Sequence, residues 1–180
     1  MAEDFFIAWR SSDRRYLPLL LLLSVVLAVL ISVLYVVFSV VRVNGDSMVP
    51  ALHSGDRVLV TRGYAVPQAG DIVAFTVVGP DGGADPLIKR VVAIPGDQVE
   101  MAGDIVYVNG ELSDVAPTAF VGTEAGPRIQ LTVPAGTVYV LGDNRPYALD
   151  SREIGPVPLE AIEGKGVAIM LPVHRARPID

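Results

Sequence analysis

The chain has no cysteine, a single tryptophan, only two histidines, and two lysines set against twelve arginines. Without cysteine no disulfide can hold it, so any domain it forms must rest on its own core. The net charge of −6 carries no basic cluster beyond the first third of the chain, which argues against nucleic acid as a partner. What the chain has in quantity is apolar surface. At 180 residues and 51% apolar content it is no disordered polymer, and there is room for one domain with a small appendage.

Charge is also missing locally. From Tyr16 to Val41 no side chain is charged, and Leu, Val, Ile, Ala and Phe dominate. A helix needs roughly 20 such residues to cross the hydrocarbon core of a bilayer, so 16–41 reads as a transmembrane anchor with the lipid bilayer as its partner. Pro18 stands near its start, where a proline does least harm to a helix. A cleaved signal peptide is the competing reading, but its apolar core would run to only about 7–15 residues and end at a small-residue cleavage site.

Arg10, Arg14 and Arg15 precede the span and only Arg42 follows it closely. The positive-inside rule then puts residues 1–15 in the cytoplasm and everything from residue 42 on the outer face. Trp9 and Tyr16 are placed to sit at headgroup level.

Beyond the anchor the period shortens. Arg57 to Thr61, Asp71 to Val78, Leu87 to Ile94, Ile105 to Val108 and Thr137 to Leu141 are β-branched runs bounded by Gly, Pro, Asp or Asn. Residues 42–173 therefore read as one mainly β domain. Asn109-Gly110 is its strongest hairpin signal, because both residues tolerate positive φ. Asp81 to Pro86 reads as a loop. Residues 103–130 read as an extended excursion, with little periodicity from Ser113 to Arg128 and room there for one strand. Only Leu159 to Glu163 looks helical, and residues 174–180 read as a solvated polar tail.

Two polar islands interrupt this pattern: Gly45-Asp46-Ser47-Met48-Val49-Pro50, just past the anchor, and Lys89-Arg90 inside an apolar strand. A serine hydroxyl needs a base to become a nucleophile. Of the usual candidates, His53 has nothing nearby that resembles the buried carboxylate needed to orient it, and His174 lies in the tail. Lysine serves if a desolvated setting keeps it neutral. Leu87, Ile88, Val91 and Val92 supply that setting for Lys89, with side-chain alternation turning Lys89 and Arg90 to opposite faces. Arginine cannot lose its proton in a protein, so a chain that otherwise chooses arginine has a reason to keep lysine at 89 if a base is needed there. Lys89 as a gatekeeper against strand aggregation remains an equal reading on these grounds. Ser47 taken alone reads more simply as a turn or helix cap.

Four stretches taken together resemble the ordered boxes of type I signal peptidase, the leader peptidases. They are Gly45 to Leu52, Gly70 to Phe75, Ile88 to Asp97, and Gly142-Asp143-Asn144-Arg145 through Asp150 to Gly155. The resemblance spans roughly residues 20 to 160 and implies two packed antiparallel β-sheets after one N-terminal transmembrane helix. It implies a membrane-anchored Ser-Lys endopeptidase that removes signal peptides from exported preproteins after an Ala-X-Ala-type site, without metal or cofactor. On this resemblance Ser47 is the nucleophile, Lys89 the general base, and the Ser47 main-chain N–H part of the oxyanion site. Val43, Met48, Leu52, Val58 and Ile88 match the substrate pocket, though as apolar residues each reads equally well as core. Asp143 is expected to pair with Arg90 and Asp150 with Arg152.

Two departures stand out. Some family members carry a serine where this chain has Gly45, supplying an oxyanion donor, and some carry a lysine-orienting serine where this chain has Ala148. A backbone carbonyl or a water must then hold the Lys89 amine. These departures keep open a catalytically silent, membrane-tethered binder of signal sequences. A self-cleaving Ser-Lys regulator of the SOS-repressor kind lacks the DNA-binding domain it would need.

Overall fold

The computed structural model describes residues 2–64, 66–78, 82–113, 115 and 128–179, without the side chains of residues 2–15. The side chains of Trp9, Arg10, Arg14 and Arg15 therefore lie outside the described residues, as does most of the Ser113 to Arg128 stretch.

The chain divides into two compact units, 1–37 and 38–180. The first is helix α1 (Ala2–Val37), which contains Pro18. Its segment Tyr16–Val37 is 22 residues long, with a hydropathy of 3.1 and none of it buried. At 1.5 Å per residue such a segment is about 33 Å long, the thickness of a hydrocarbon core. Its serines return their hydroxyls to the helix: Ser24 donates to Leu21 O and Ser32 to Ala28 O, both at 2.8 Å. Neither serine hydroxyl is thereby left bare on the apolar helix.

The helix stops short of the sequence-based span. Phe38 to Val41, read above as its last turn, belong instead to strand β1 (Phe38–Arg42), paired antiparallel with β2 (Arg57–Arg62) in the register Phe38↔Thr61 to Arg42↔Arg57. Val40 and Val41 are as apolar as the span and β-branched as well, so hydropathy alone cannot tell the two states apart.

In the second unit, β1 and β2 are followed by β3 (Ile72–Val78) and β4 (Ala84–Ala93). Next come β5 (Gln98–Ala102), β6 (Ile105–Val108), β7 (Glu111–Leu112) and β8 (Arg128–Thr132). The chain then runs through β9 (Thr137–Leu141), β10 (Val157–Pro158), β11 (Ile162–Leu171) and β12 (Arg177–Pro178). An eight-stranded sheet takes the order β1-β2-β11-β3-β4-β9-β10 with β12 on β11, and a four-stranded sheet the order β7-β6-β5-β8. Their ladders are antiparallel, so the mainly β, two-sheet architecture is the one the sequence called for.

Both faces of the larger sheet are buried at its middle strands. Along β3, Ile72 and Ala74 enter the cluster of Met48, Leu52, Val58 and Ile88, while Val73 and Phe75 enter that of Val91, Val138 and Val140. Alternation with two dry faces explains why the run is apolar throughout. A third cluster joins the sheets through Val92, Val99, Met101, Val106, Tyr139 and Leu141. At the β6–β7 hairpin Asn109 and Gly110 take φ of 54° and 82°, as their turn requires.

Three expectations need correcting. Ala84, Asp85 and Pro86, read as loop, pair with Val78, Val77 and Thr76. Leu159–Ala161 is a single 3-10 turn, and Ile162 and Glu163 open β11, a ten-residue strand with no sequence-based forecast. The third is the tail. Arg175 forms a two-pronged pair with the buried Asp56, with Nε–Oδ1 and Nη2–Oδ2 both 3.0 Å. Arg177 Nη2 donates to Ala51 O at 3.0 Å, and the Ile179 side chain packs against the Met48 and Leu52 cluster. Burial alone would raise the Asp56 carboxyl, but the Arg175 bonds and the His53 N–H outweigh it and hold the carboxyl below its ordinary value.

Strand β11 escaped notice because Gly164 and Gly166 interrupt it, and geometry shows why a glycine is needed at the first. A Cβ on Gly164 would stand 2.1 Å from Thr61 O and 2.7 Å from Val60 Cγ1, at the centre of the sheet. Gly164→Ala is therefore expected to cost about 1–3 kcal/mol by overpacking. Thermal unfolding of the full chain in detergent checks it, and an unchanged midpoint would show that β2 and β11 can part freely.

Candidate active site

Three segments converge on one cleft of about 370 Å³. The first is the turn after β1. Val43 N donates to Asp56 O and Gly55 N to Val43 O, both at 2.9 Å, closing residues 43–56 into a loop. Inside it Val49 N donates to Asp46 O at 3.2 Å and Leu52 N to Met48 O at 2.8 Å. Met48 and Leu52, fully buried, pin the turn to the core, and half-buried Ser47 is left facing the cleft.

Gly45 has φ of +83°, a conformation that side-chain-bearing residues rarely adopt. A serine at that position would be strained, so in this backbone a side-chain oxyanion donor at 45 is disfavoured. The Ser47 N–H has no acceptor among the described residues and remains available as a main-chain donor beside the Ser47 hydroxyl.

The second segment is β4. Pairing of Val73 with Lys89 and Ala74 with Ile88 sets the lysine in the middle of the sheet, where its side chain is 2% exposed. Lys89 Nζ lies 2.9 Å from Ser47 Oγ and also donates to Ile88 O at 2.9 Å. A backbone carbonyl thus holds the amine in a chain that has alanine, not serine, at 148. Burial holds the Lys89 pKa below the ordinary lysine value, and the charges of Asp150 and Asp143 only partly restore it.

The third segment, Gly142 to Ser151, grips the other two. Asn144 N donates to Ser47 O and Asn144 Nδ2 to Asp46 O, each at 3.0 Å. Asp143 accepts Arg90 Nε and Nη2, both at 2.9 Å, in a pair almost wholly buried. Asp150 accepts Gly142 N at 3.0 Å and Arg152 Nε at 2.8 Å while capping α2 (Ser151–Ile154). Thus Arg90 with Asp143 and Arg152 with Asp150 come together.

Sequence reasoning passed over three residues here. Asn144 N donates to Ser47 O, Ser151 Oγ accepts Val140 N at 2.9 Å, and buried Arg145 donates to Gly142 O at 3.1 Å. All three stand inside the fourth box, so the signal was present; the side-chain directions were not.

Of the five apolar pocket candidates, Ile88 lines the cleft. Val43, Met48, Leu52 and Val58 are buried in the core cluster that Ile88 also joins, and do not line the cleft themselves. Its other walls are Val41, Arg42 and Asn44 to Ser47, then Pro86 to Lys89, then Tyr147 and Leu149. His53 stands apart, with its backbone N–H on Asp56, and lines a different hollow. Among the described residues no three His, Asp or Glu cluster as a metal site would require.

A hydroxyl and a desolvated amine at hydrogen-bond distance, each fixed by buried neighbours, are the parts of a serine hydrolase that works with lysine in place of histidine. The comparisons narrow the class. Residues 15–171 match the family model of signal peptidase, peptidase S26, and the chain belongs to that family.

Signal peptidase I of Bacillus licheniformis is 32% identical over 171 residues, 89% of this chain and 90% of that protein. Probable signal peptidase I-1 of Synechocystis is 35% identical over 168 residues, covering 87% and 82%. Signal peptidase I S of Bacillus subtilis is 31% identical over 170 residues, covering 87% and 89%. A solved signal peptidase I from Enterococcus faecalis superposes with a TM-score of 0.45 at 33% identity, covering 56% of this chain and 96% of that one. The chain is thus a peptidase of the signal peptidase I kind, whose substrates are exported preproteins.

Proposed function

We propose that the protein is a membrane-anchored endopeptidase that cuts signal peptides from exported preproteins after an Ala-X-Ala-type site, with Ser47 as nucleophile and neutral Lys89 as general base. The 2.9 Å separation of Lys89 Nζ and Ser47 Oγ, with the amine buried, is the observation that carries it. Neutral Lys89 accepts the hydroxyl proton as Oγ attacks the scissile carbonyl. The Ser47 N–H donates to the oxygen that gains charge, worth a few kcal/mol at such a position. The intermediate collapses, and the proton on Lys89 passes to the departing amine of the mature protein. Lys89 next deprotonates water, which attacks the acyl group, releasing the signal peptide as a carboxylate and restoring Ser47.

Support for extended substrate binding comes from β4. It pairs with β9 at Arg90, Val91 and Ala93, leaving the edge of Pro86 to Lys89 facing the cleft without a strand partner among the described residues. A preprotein strand can add there, its small side chains turned toward Ile88. Anchoring by Tyr16–Val37, with the N-terminus in the cytoplasm and residues 38–180 outside, would hold this edge on the side where precursors emerge.

The full chain in detergent is expected to cut a preprotein bearing an Ala-X-Ala site at that bond, read by the mass of the product. Ser47→Ala should remove the activity. Cleavage by Ser47→Ala at the wild-type rate would rule the serine out.

A further inference from the structure

Large exposed apolar residues on residues 38–180 are mostly scattered, as on any protein surface. Two are not. Tyr147, 76% exposed, and Leu149, 43% exposed, both line the cleft that holds Ser47 and Lys89. Between them Ala148 is 7% exposed and packs against Gly142. Its φ of −114° and ψ of 122° are extended, so the side chains on either side of it project together, away from the buried methyl.

Their backbone is held rather than loose. Arg152 Nη2 donates to Arg145 O at 2.5 Å and to Ala148 O at 3.3 Å, and Tyr147 N donates to Asn144 O at 3.0 Å. A tyrosine and a leucine kept in water on a fixed frame beside the reacting groups leave apolar area uncovered until something docks on it. Neither side chain takes part in the chemistry above.

We propose that Tyr147 and Leu149 form an apolar subsite for one preprotein side chain that alternates with the two small ones. In an extended strand along Pro86 to Lys89, the first and third residues before the cut face Ile88. The second residue before the cut and the first after it then face the opposite way, toward the Tyr147 and Leu149 wall. The subsite takes a leucine- or phenylalanine-sized side chain at one of these two positions. This inference rests on the proposed peptidase function and adds a preference to it.

The test is a panel of preproteins differing only at those two positions, with Ala, Ser, Leu or Phe, cut by the full chain in detergent. The wild type is expected to favour Leu or Phe over Ala by about 10-fold in kcat/KM at one position, the scale of discrimination that a few methylenes give in an apolar pocket. In the Tyr147→Ser, Leu149→Ser double variant that ratio should fall to about 2-fold or less, and Tyr147→Phe should keep it. The ratio does not depend on how much of a variant is folded. Panel-wide cleavage with no preference in the wild type, or a ratio that survives in the double variant, would overturn the subsite alone. No cleavage of any member by the wild type would overturn the peptidase reading and the subsite together.

Discussion

Lys89→Met is expected to remove cleavage while making the protein harder to unfold at neutral pH. General-base catalysis by a positioned group is worth about 10²- to 10⁴-fold, and methionine, unbranched and apolar, fills the lysine's track without a proton acceptor of useful strength. The stability gain follows from the direction of the pKa shift. Burial lowers the Lys89 pKa in the folded state. Between that lowered value and the ordinary lysine value the unfolded chain holds a proton that the native protein does not, so wild-type stability rises with pH across the window. Below the window both states are protonated, and the native state carries the full cost of a buried ammonium. Methionine removes both the cost and the slope.

The unfolding midpoints of wild type and variant should therefore lie furthest apart near and below neutrality and converge toward pH 10. The wild-type rate should meanwhile rise with pH through a value below that of free lysine. A variant less stable than wild type at every pH would mean that the bonds to Ser47 and Ile88 outweigh desolvation, and that Lys89 is held for structure.

Gly142→Ala is the second large expected effect. A Cβ at 142 would lie 2.3 Å from Ala148 Cβ and 2.7 Å from Ser47 O, so the added methyl pushes on the wall and on the carbonyl of the proposed nucleophile. Overpacking of this kind costs about 1–3 kcal/mol in stability. The larger loss should be in kcat, by about 10²-fold, because a displacement near 1 Å is enough to spoil an attack geometry. Expected is a fall in kcat at a temperature where circular dichroism shows the variant folded. A normal kcat in the folded variant would mean that Ser47 moves independently of the Gly142 to Asn144 segment.

Much of the candidate site was legible through the order of four boxes that resemble one family, since Lys89 alone reads equally as a gatekeeper and Ser47 alone as a turn. Lys89 is a charged residue inside an apolar strand of an arginine-rich chain, and Ser47 is polar between a span and a sheet. Strands such as Ile72–Val78 were equally plain, since two buried faces leave an uninterrupted β-branched run. What stayed hidden had a compensating feature elsewhere. Val40 and Val41 look like membrane helix until β2 supplies their partners. The glycines of β11 look like a loop until Thr61 O comes close enough to exclude a side chain. Arg175 and Arg177 look solvated until Asp56 and Ala51 O accept them. Val43, Met48, Leu52 and Val58 match the pocket by type, but type does not say that they sit one layer inside it.

The clasp of Arg175 on Asp56 reaches across 119 positions of sequence, and the loop it closes is the one that carries Ser47. Ser47 and Lys89, by contrast, are 42 positions apart. A chain emerging from the ribosome presents Ser47 and Lys89 long before it presents the arginine that braces the Ser47 loop. Contacts of such long range form late, once their loop-closure entropy can be met. The brace on the Ser47 loop is thus among the last contacts this domain can complete, set in place only when the strand that precedes Arg175 has docked beside β2.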